Sequence, residues 1–398
     1  ALNGPVTISD TGLSEDSLTV NGVPDDNNDI TKTGQVVSST LETVTYSGVE
    51  HLTLVLGSGT KRVIDPGTGP SSLVDTTIIA GPIGSTNTIE IADTTAAVVI
   101  EDRGGSNDIT IDMGNLGAPV TVNGTAGTNE VTINAPSDST ELILSATQLA
   151  SATEAINLNL GSTLGALAVN LGTGSNDLEV QSTSSAGVTI NSTGGTDACT
   201  INLGSLAGPV TVASTTMSTQ LAVTVVGTPV NDSLAVSASG VQTGTGEMIN
   251  LAAPVQELTL EGGGGDNTFT LLDLGSSTSA PKSLVIDGGT GEGNNQVVVE
   301  GQMPTETSMQ HVAPANVTID STICEYVFAV GSTKTFQGAY VDLDTLVPDA
   351  AVWTFTRVIG VDTIATETRP GMVLEGEGGG AVSDNLSFSE PGVYHVTL

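Results

Sequence analysis

Basic side chains are nearly missing from this chain. Eight Lys and Arg stand against 44 Asp and Glu, a formal net charge of −36 over 398 residues. Phosphate recognition needs cationic side chains, so nucleic acid and anionic lipid surfaces are not expected partners. A field of this sign attracts cations and keeps a protein soluble in salty or calcium-bearing surroundings. Aromatics make up only 3% of the residues, so any core has to be built from Val, Ile, Leu and Ala. Two cysteines, Cys199 and Cys324, are too few for a disulfide framework. No apolar run approaches the ~18 residues of a membrane-spanning helix. The chain opens on Ala1 rather than Met, which suggests a processed or excised segment of a longer protein.

What the sequence does contain is β-forming residues and corners. Hydrophobic residues reach 38%, Thr and Ser are abundant, and there are 49 glycines. β-branched residues favour strands and frequent Gly marks frequent turns. A repeat organises them. Val120-Thr121-Val122 leads through Gly124–Asn129 to Val131-Thr132-Ile133, and Val188-Thr189-Ile190 leads through Gly194–Asp197 to Cys199-Thr200-Ile201. Each unit is an alternating strand, a Gly-rich corner ending in Asn or Asp, and a second alternating strand.

The last apolar residues of successive first strands are Leu54, Ile79, Ile100, Val122, Leu144, Val169, Ile190, Val212, Val236, Leu260 and Ile286, at steps of 21 to 26 residues. At about 3.3 Å per strand residue, a period near 22 fits one coil of two or three short strands. Stacked coils enclose a continuous core that no single coil can bury alone. Alternation places Val122, Val131 and Ile133 inward and Thr121 and Thr132 outward. Gly and Asn suit the left-handed backbone of sharp corners. The expected fold class is therefore all-β: a parallel β-solenoid of about 22-residue coils over residues 1–300. An antiparallel array of hairpins is the competing arrangement. The near-constant unit length and the lack of aromatic core residues favour the solenoid. The start, Gly4-Pro5-Val6-Thr7-Ile8, matches Gly208-Pro209-Val210-Thr211-Val212 and reads as a coil entered partway.

Beyond Ile286 the period fades. Residues 301–321 read as a linker or cap, and the aromatics Tyr326, Phe328, Phe336, Tyr340, Trp353, Phe355, Phe388 and Tyr394 follow, a different and more compact core. Two resemblances enter here. Leu18-Thr19-Val20-Asn21-Gly22, followed by Val44-Thr45-Tyr46-Ser47-Gly48-Val49-Glu50-His51-Leu52-Thr53-Leu54, resembles repeats of very large bacterial surface proteins such as those of planctomycetes. Pro391-Gly392-Val393-Tyr394-His395-Val396-Thr397-Leu398, with Val352-Trp353-Thr354-Phe355, resembles PKD-type immunoglobulin-like domains and implies a truncated sandwich over residues 322–398. The short loop that usually follows the Trp strand in that family is missing.

Candidate chemistry is thin. Clustered carboxylates on flexible loops suit a hard cation, which makes Asp25, Asp26 and Asp29 the first candidates for structural Ca²⁺. Asp266, in the corner Gly262–Asn267, faintly resembles the RTX calcium repeat, although these corners recur near 22 residues rather than nine. Asp342 and Asp344 are the remaining candidates. A polysaccharide lyase or hydrolase is the rival class for a β-helix, with Asp102, Arg103, Asp108 and Asp112 as its nearest approach to a cluster; carbohydrate sites favour aromatic platforms, and the solenoid has only Tyr46 and Phe269. His51, His311 and His395 form no signature. Cys199 reads as a core residue. Asn123, Asn191, Asn231, Asn316 and Asn385 match the N-glycosylation pattern. No catalytic or cofactor-binding residue is assigned. The expected protein is a non-enzymatic structural piece of an extracellular cell surface (an S-layer, stalk, fibre or adhesin segment). Its expected partners are copies of itself, other surface proteins or glycans.

Overall fold

The computed structural model describes residues 5–11, 14–22, 29–33, 36–39, 43–65, 72–137, 140–152, 154–214, 220–252, 255–272, 274, 280–289, 295–300, 304 and 306–310. Beyond these it describes the strands 333–340, 352–359, 362–370, 372–374, 380–387 and 393–397. The chain divides into two compact units: Ala1–Thr224 with Glu247–Val255, and Val225–Gly246 with Gln256–Leu398.

The first unit is a two-sheet parallel solenoid. Alternation explains it directly. Residues such as those of Ala97–Asp102 and Thr196–Asn202 are buried at every second position, so each strand presents one aliphatic face to the interior and one polar face to water. Along the first sheet the strands run Thr60–Asp65, Thr86–Ile91, Ser106–Asp112, Thr128–Asn134, Leu164–Leu171, Val188–Ser192 and Val210–Ser214. Along the second they run Ser17–Asn21, His51–Val55, Asp75–Ile79, Ala97–Asp102 and Val120–Gly124, then Asp177–Val180 and Thr196–Asn202 beyond an insertion. Neighbours pair in parallel and in register, Val98 with Val120 and Ile109 with Val131. Hairpin units would have paired antiparallel. Ile78, Ile100, Val122, Ile111, Ile133 and Val169 are fully buried. At about 0.8 kcal/mol per buried CH₂, this aliphatic column is the main favourable term.

The even spacing conceals a change of arrangement. Leu144 does not lie in a plain coil. Glu141–Ser145, Gln148–Ala150 and Ala155–Asn159 form an antiparallel meander within the second sheet. Its first strand pairs forward with Asp177–Val180 and its last pairs back with Val120–Gly124. In consequence Val122 lies in the second sheet whereas Val169, Ile190 and Val212 lie in the first. An earlier meander, Asp29–Thr33, Val36–Ser39 and Thr43–Ser47, sits in the first sheet. Hairpin strands carry the same alternation as coil strands, so the apolar pattern alone did not separate them.

The second unit contains the hairpin of Ser233–Ser237 with Gly240–Thr243 and the parallel pairs Ser233–Ser237 with Thr268–Leu272 and Glu257–Glu261 with Ser283–Asp287. It also contains two three-stranded antiparallel sheets. One orders Thr333–Tyr340, Gly380–Ser387 and Met372–Leu374, and the other orders Asp362–Pro370, Val352–Ile359 and Val393–Thr397.

Candidate functional site

The most organised polar chemistry among the described residues is internal. Counting back by two from the buried pair Ile109 and Ile111 lands on Asn107, and the same count from Val131 and Ile133 lands on Asn129. Both asparagines are buried, as is Asn87. Their amides form a column. Asn87 Nδ2 donates to Asn107 Oδ1 at 2.8 Å, Asn107 Nδ2 donates to Asn129 Oδ1 at 2.8 Å, and Asn129 Nδ2 donates to Asp102 Oδ2 at 3.0 Å. Asp102 Oδ1 accepts from the Gly104 amide at 2.8 Å. A primary amide carries both donor and acceptor, so one Asn per coil passes the chain of hydrogen bonds to the next. The pattern recurs where Asp197 Oδ1 accepts from the Asn176 amide at 3.0 Å and its Oδ2 accepts from Ser192 Oγ at 2.6 Å. In the second unit Asn267 Nδ2 donates to Asn295 Oδ1 at 2.9 Å. A second, half-buried ladder joins Asn134 to Asp112 (2.6 Å), Asn170 to Asn134 (2.8 Å) and Asn191 to Asn170 (2.8 Å). The corner asparagines therefore do not act as left-handed turn residues; they bind coil to coil. The left-handed corner positions include Gly127 and Gly195.

These bonds also fix the roles of the acidic candidates. Asp102 belongs to the inner column and Asp112 to the ladder. Arg103 is exposed and donates to Glu101 Oε2 at 3.4 Å, and Asp108 is exposed. The four do not converge on one cleft. Asp266 is exposed on its corner, where its amide donates to Asn231 Oδ1 at 2.8 Å, while Asn267 beside it turns inward. Asp29 begins a strand whose side chain at that position lies outside the described set, as do Asp25, Asp26, Asp342 and Asp344 entirely. Among the described residues no three His, Cys, Asp or Glu gather as a metal-ligating group. Tyr46 and Phe269 are both fully buried, so neither offers a sugar-stacking platform. Cys199 pairs in register with Leu178 in the core, and burial pushes its thiol up to about 12. Cys324 lies outside the described residues.

Two surface features remain. An open groove of about 390 Å³ lies along the second meander, lined by Glu141, Ile143, Ala150, Asp177, Glu179 and Thr200 among others. Glu179 Oε1 is already engaged, accepting from Asn202 Nδ2 at 2.8 Å. The second feature is an acidic edge near the start of the solenoid. His51 Nδ1 lies 2.7 Å from Asp75 Oδ2, its register neighbour, and His51 Nε2 lies 3.8 Å from Glu15. The hydrogen bond to Asp75, with the charges of Asp75 and Glu15, holds the imidazole above its ordinary range. Beside it a hydrogen bond to Asp10 and repulsion from Asp10 and Glu50 push the Asp16 carboxyl up.

For a histidine raised on folding, the contribution to stability is fully present below the unfolded value of ~6.5 and is lost as pH rises through the folded value. His51→Gln is therefore expected to lower the melting temperature most at acid pH, below ~6.5, and to lose that effect as pH rises through the folded value, read by thermal unfolding from acid to alkaline pH. A variant equally destabilised at both ends would show that the ring acts by packing alone.

No family model matches the chain, and no curated protein or solved structure matches it.

Proposed function

We propose that this protein is a structural component of an extracellular surface assembly, a stacked element whose acidic exterior is bridged by Ca²⁺ to copies of itself or to neighbouring surface proteins. The observation that carries this reading is the use of its buried polar groups. Asn87, Asn107, Asn129, Asp102 and Asp197 all bind one coil to another, and the polar residues left outside are dispersed along the sheet faces. Quasi-one-dimensional stacks of this kind transmit load along the repeat direction. The net charge of −36 keeps copies apart until a divalent ion screens or bridges them. The antiparallel sheet holding Val352–Ile359, with Trp353, and Val393–Thr397 supports reading residues 322–398 as a PKD-like spacer.

The test is assembly. Light scattering and negative-stain electron microscopy of the purified protein, with calcium chloride and then with excess chelator, are expected to show ordered association that reverses. A protein that stays monomeric in both and releases reducing ends from an acidic polysaccharide would put the enzyme reading in its place.

A further inference from the structure

Above the 22-residue coil the structure contains a longer repeat. Leu116-Gly117-Ala118-Pro119-Val120-Thr121-Val122 and Leu206-Ala207-Gly208-Pro209-Val210-Thr211-Val212 lie 90 residues apart, and their surroundings share a set of contacts. Thr94 bridges to Leu116, and its Oγ donates to the Ala118 carbonyl at 2.6 Å and accepts from the Ala118 amide at 3.0 Å. Thr183 bridges to Leu206 and makes the same two bonds to Gly208, at 2.8 and 3.0 Å. The amides of Val98 and Val188 donate to the carbonyls of Pro119 and Pro209 at 3.1 and 2.9 Å.

Each following strand is met by equivalent residues. Val120, Thr121 and Val122 pair with Ile156, Asn157 and Leu158, while Val210, Thr211 and Val212 pair with Ile249, Asn250 and Leu251. Asn157 Nδ2 donates to Thr121 Oγ at 3.2 Å, and Asn250 Nδ2 to Thr211 Oγ at 3.3 Å. One Glu immediately precedes each of these partner strands, Glu154 before Ala155 and Glu247 before Met248. The Leu206 amide donates to Glu247 Oε1 at 3.0 Å, and Glu154 stands at the corresponding place before its strand, although there the Leu116 amide donates to the Met113 carbonyl at 3.1 Å. Both Glu residues follow a hairpin, Ser145 opposite Gln148 in one case and Ser237 opposite Gly240 in the other. A third occurrence begins at Val6: Val6, Thr7 and Ile8 pair with Val44, Thr45 and Tyr46, after the hairpin in which Thr33 opposes Val36.

We infer that residues 120–209 form one exchangeable module, a coil, a meander and then plain coils, and that this module is the unit in which the stack can be lengthened or shortened. Its two boundaries share the threonine, proline and strand-pairing contacts. The two sheets exchange roles at the meander, since Val120 lies in the second sheet and Val210 in the first. Removing the whole module therefore presents Val98 and Leu116 with Val210 and Glu247 in place of Val120 and Glu154. The inference concerns how the chain is built and is independent of the surface role proposed above.

Two full-length variants test it. Deleting residues 120–209 and duplicating them in tandem both recreate a native Pro-Val junction. A third variant, lacking only the meander 141–159, removes far fewer residues but strands Val120 and Val122 without their partners. The expected result is a cooperative β-rich protein with Tm within about 5 °C of the parent for deletion and duplication, as in other stacks of repeats, and a larger fall or aggregation for the meander deletion. Collapse of both module variants, or equal tolerance of all three changes, would overturn the inference.

Discussion

Asn107→Ala is expected to lower stability by about 2–4 kcal/mol, far beyond an ordinary surface change. The reasons lie in the column. Asn107 is 2% exposed and sits between two buried amides. Its loss leaves Asn129 Oδ1 without the 2.8 Å donor and Asn87 Nδ2 with only the 3.3 Å contact to Ser85 Oγ. Asn87 Oδ1 already has no hydrogen-bond partner, so the amide at that end would be left poorly satisfied on both sides. A buried group stripped of its partner costs roughly 1–3 kcal/mol, and a cavity of side-chain size adds to it. With about 2–4 °C per kcal/mol for a large domain, the melting temperature should fall by roughly 5–15 °C. Asp108→Ala, one residue along and exposed, should stay within about 0.5 kcal/mol. Equal effects at the two positions would mean that the amide column does not hold the coils.

Gly127→Ala is the second large effect, and its partner experiment is Gly84→Ala. The two glycines share a backbone geometry, φ of +87° and +90°. They differ in what surrounds them. A Cβ at Gly127 would overlap the carbonyl oxygen of Gly105 in the preceding coil, whereas a Cβ at Gly84 meets nothing within 4 Å. The left-handed conformation alone costs an alanine about 1–2 kcal/mol, which is all that Gly84→Ala should show. Gly127→Ala has to push one coil away from the next, breaking the Thr128 amide bond to Gly105 (3.2 Å), and should cost about 3–5 kcal/mol. Chemical denaturation of the pair reads the difference, which isolates the close approach of neighbouring corners from backbone preference. If the two alanines cost the same, the corners are not packed as described.

These two positions also show what the sequence made legible. The period was visible because Val, Ile and Leu alternate with Thr and Ser wherever a strand has one wet face. That alternation survives in the meanders. Leu142 and Leu144 read like any coil strand, and only their pairing, Leu144 opposite Leu149, sets them apart. The switch of sheets between Val122 and Val169 was therefore hidden. Asn next to Gly suggests a turn, but the asparagines at these corners point inward and bond from coil to coil. Parity holds the better signal: Asn87, Asn107, Asn129, Asn176 and Asn267 each stand two residues before the first buried apolar residue of their strand, Phe269 in the last case and an aliphatic in the others. Asp102 and Asp112 read in sequence as members of an acidic surface group, whereas in the fold both accept from asparagines of the next coil. Glu247 carries no local signal, since its partner Leu206 lies 41 residues earlier.

The most direct test of the account is amide hydrogen exchange at the corners. In most proteins loops exchange quickly and strands slowly. Here the corners are tied down: the Gly104 amide donates to Asp102 Oδ1 within its own corner at 2.8 Å, and where the corners enter their strands the amides of Ser106 and Thr128 donate to Ser85 O and Gly105 O of the preceding coil at 2.9 and 3.2 Å. The account predicts that these amides are protected to the same degree as those of Ile109 and Val131 in the adjoining strands, and that Asn107→Ala releases the corners first. Corners that exchange like open loops in the unaltered protein would contradict it.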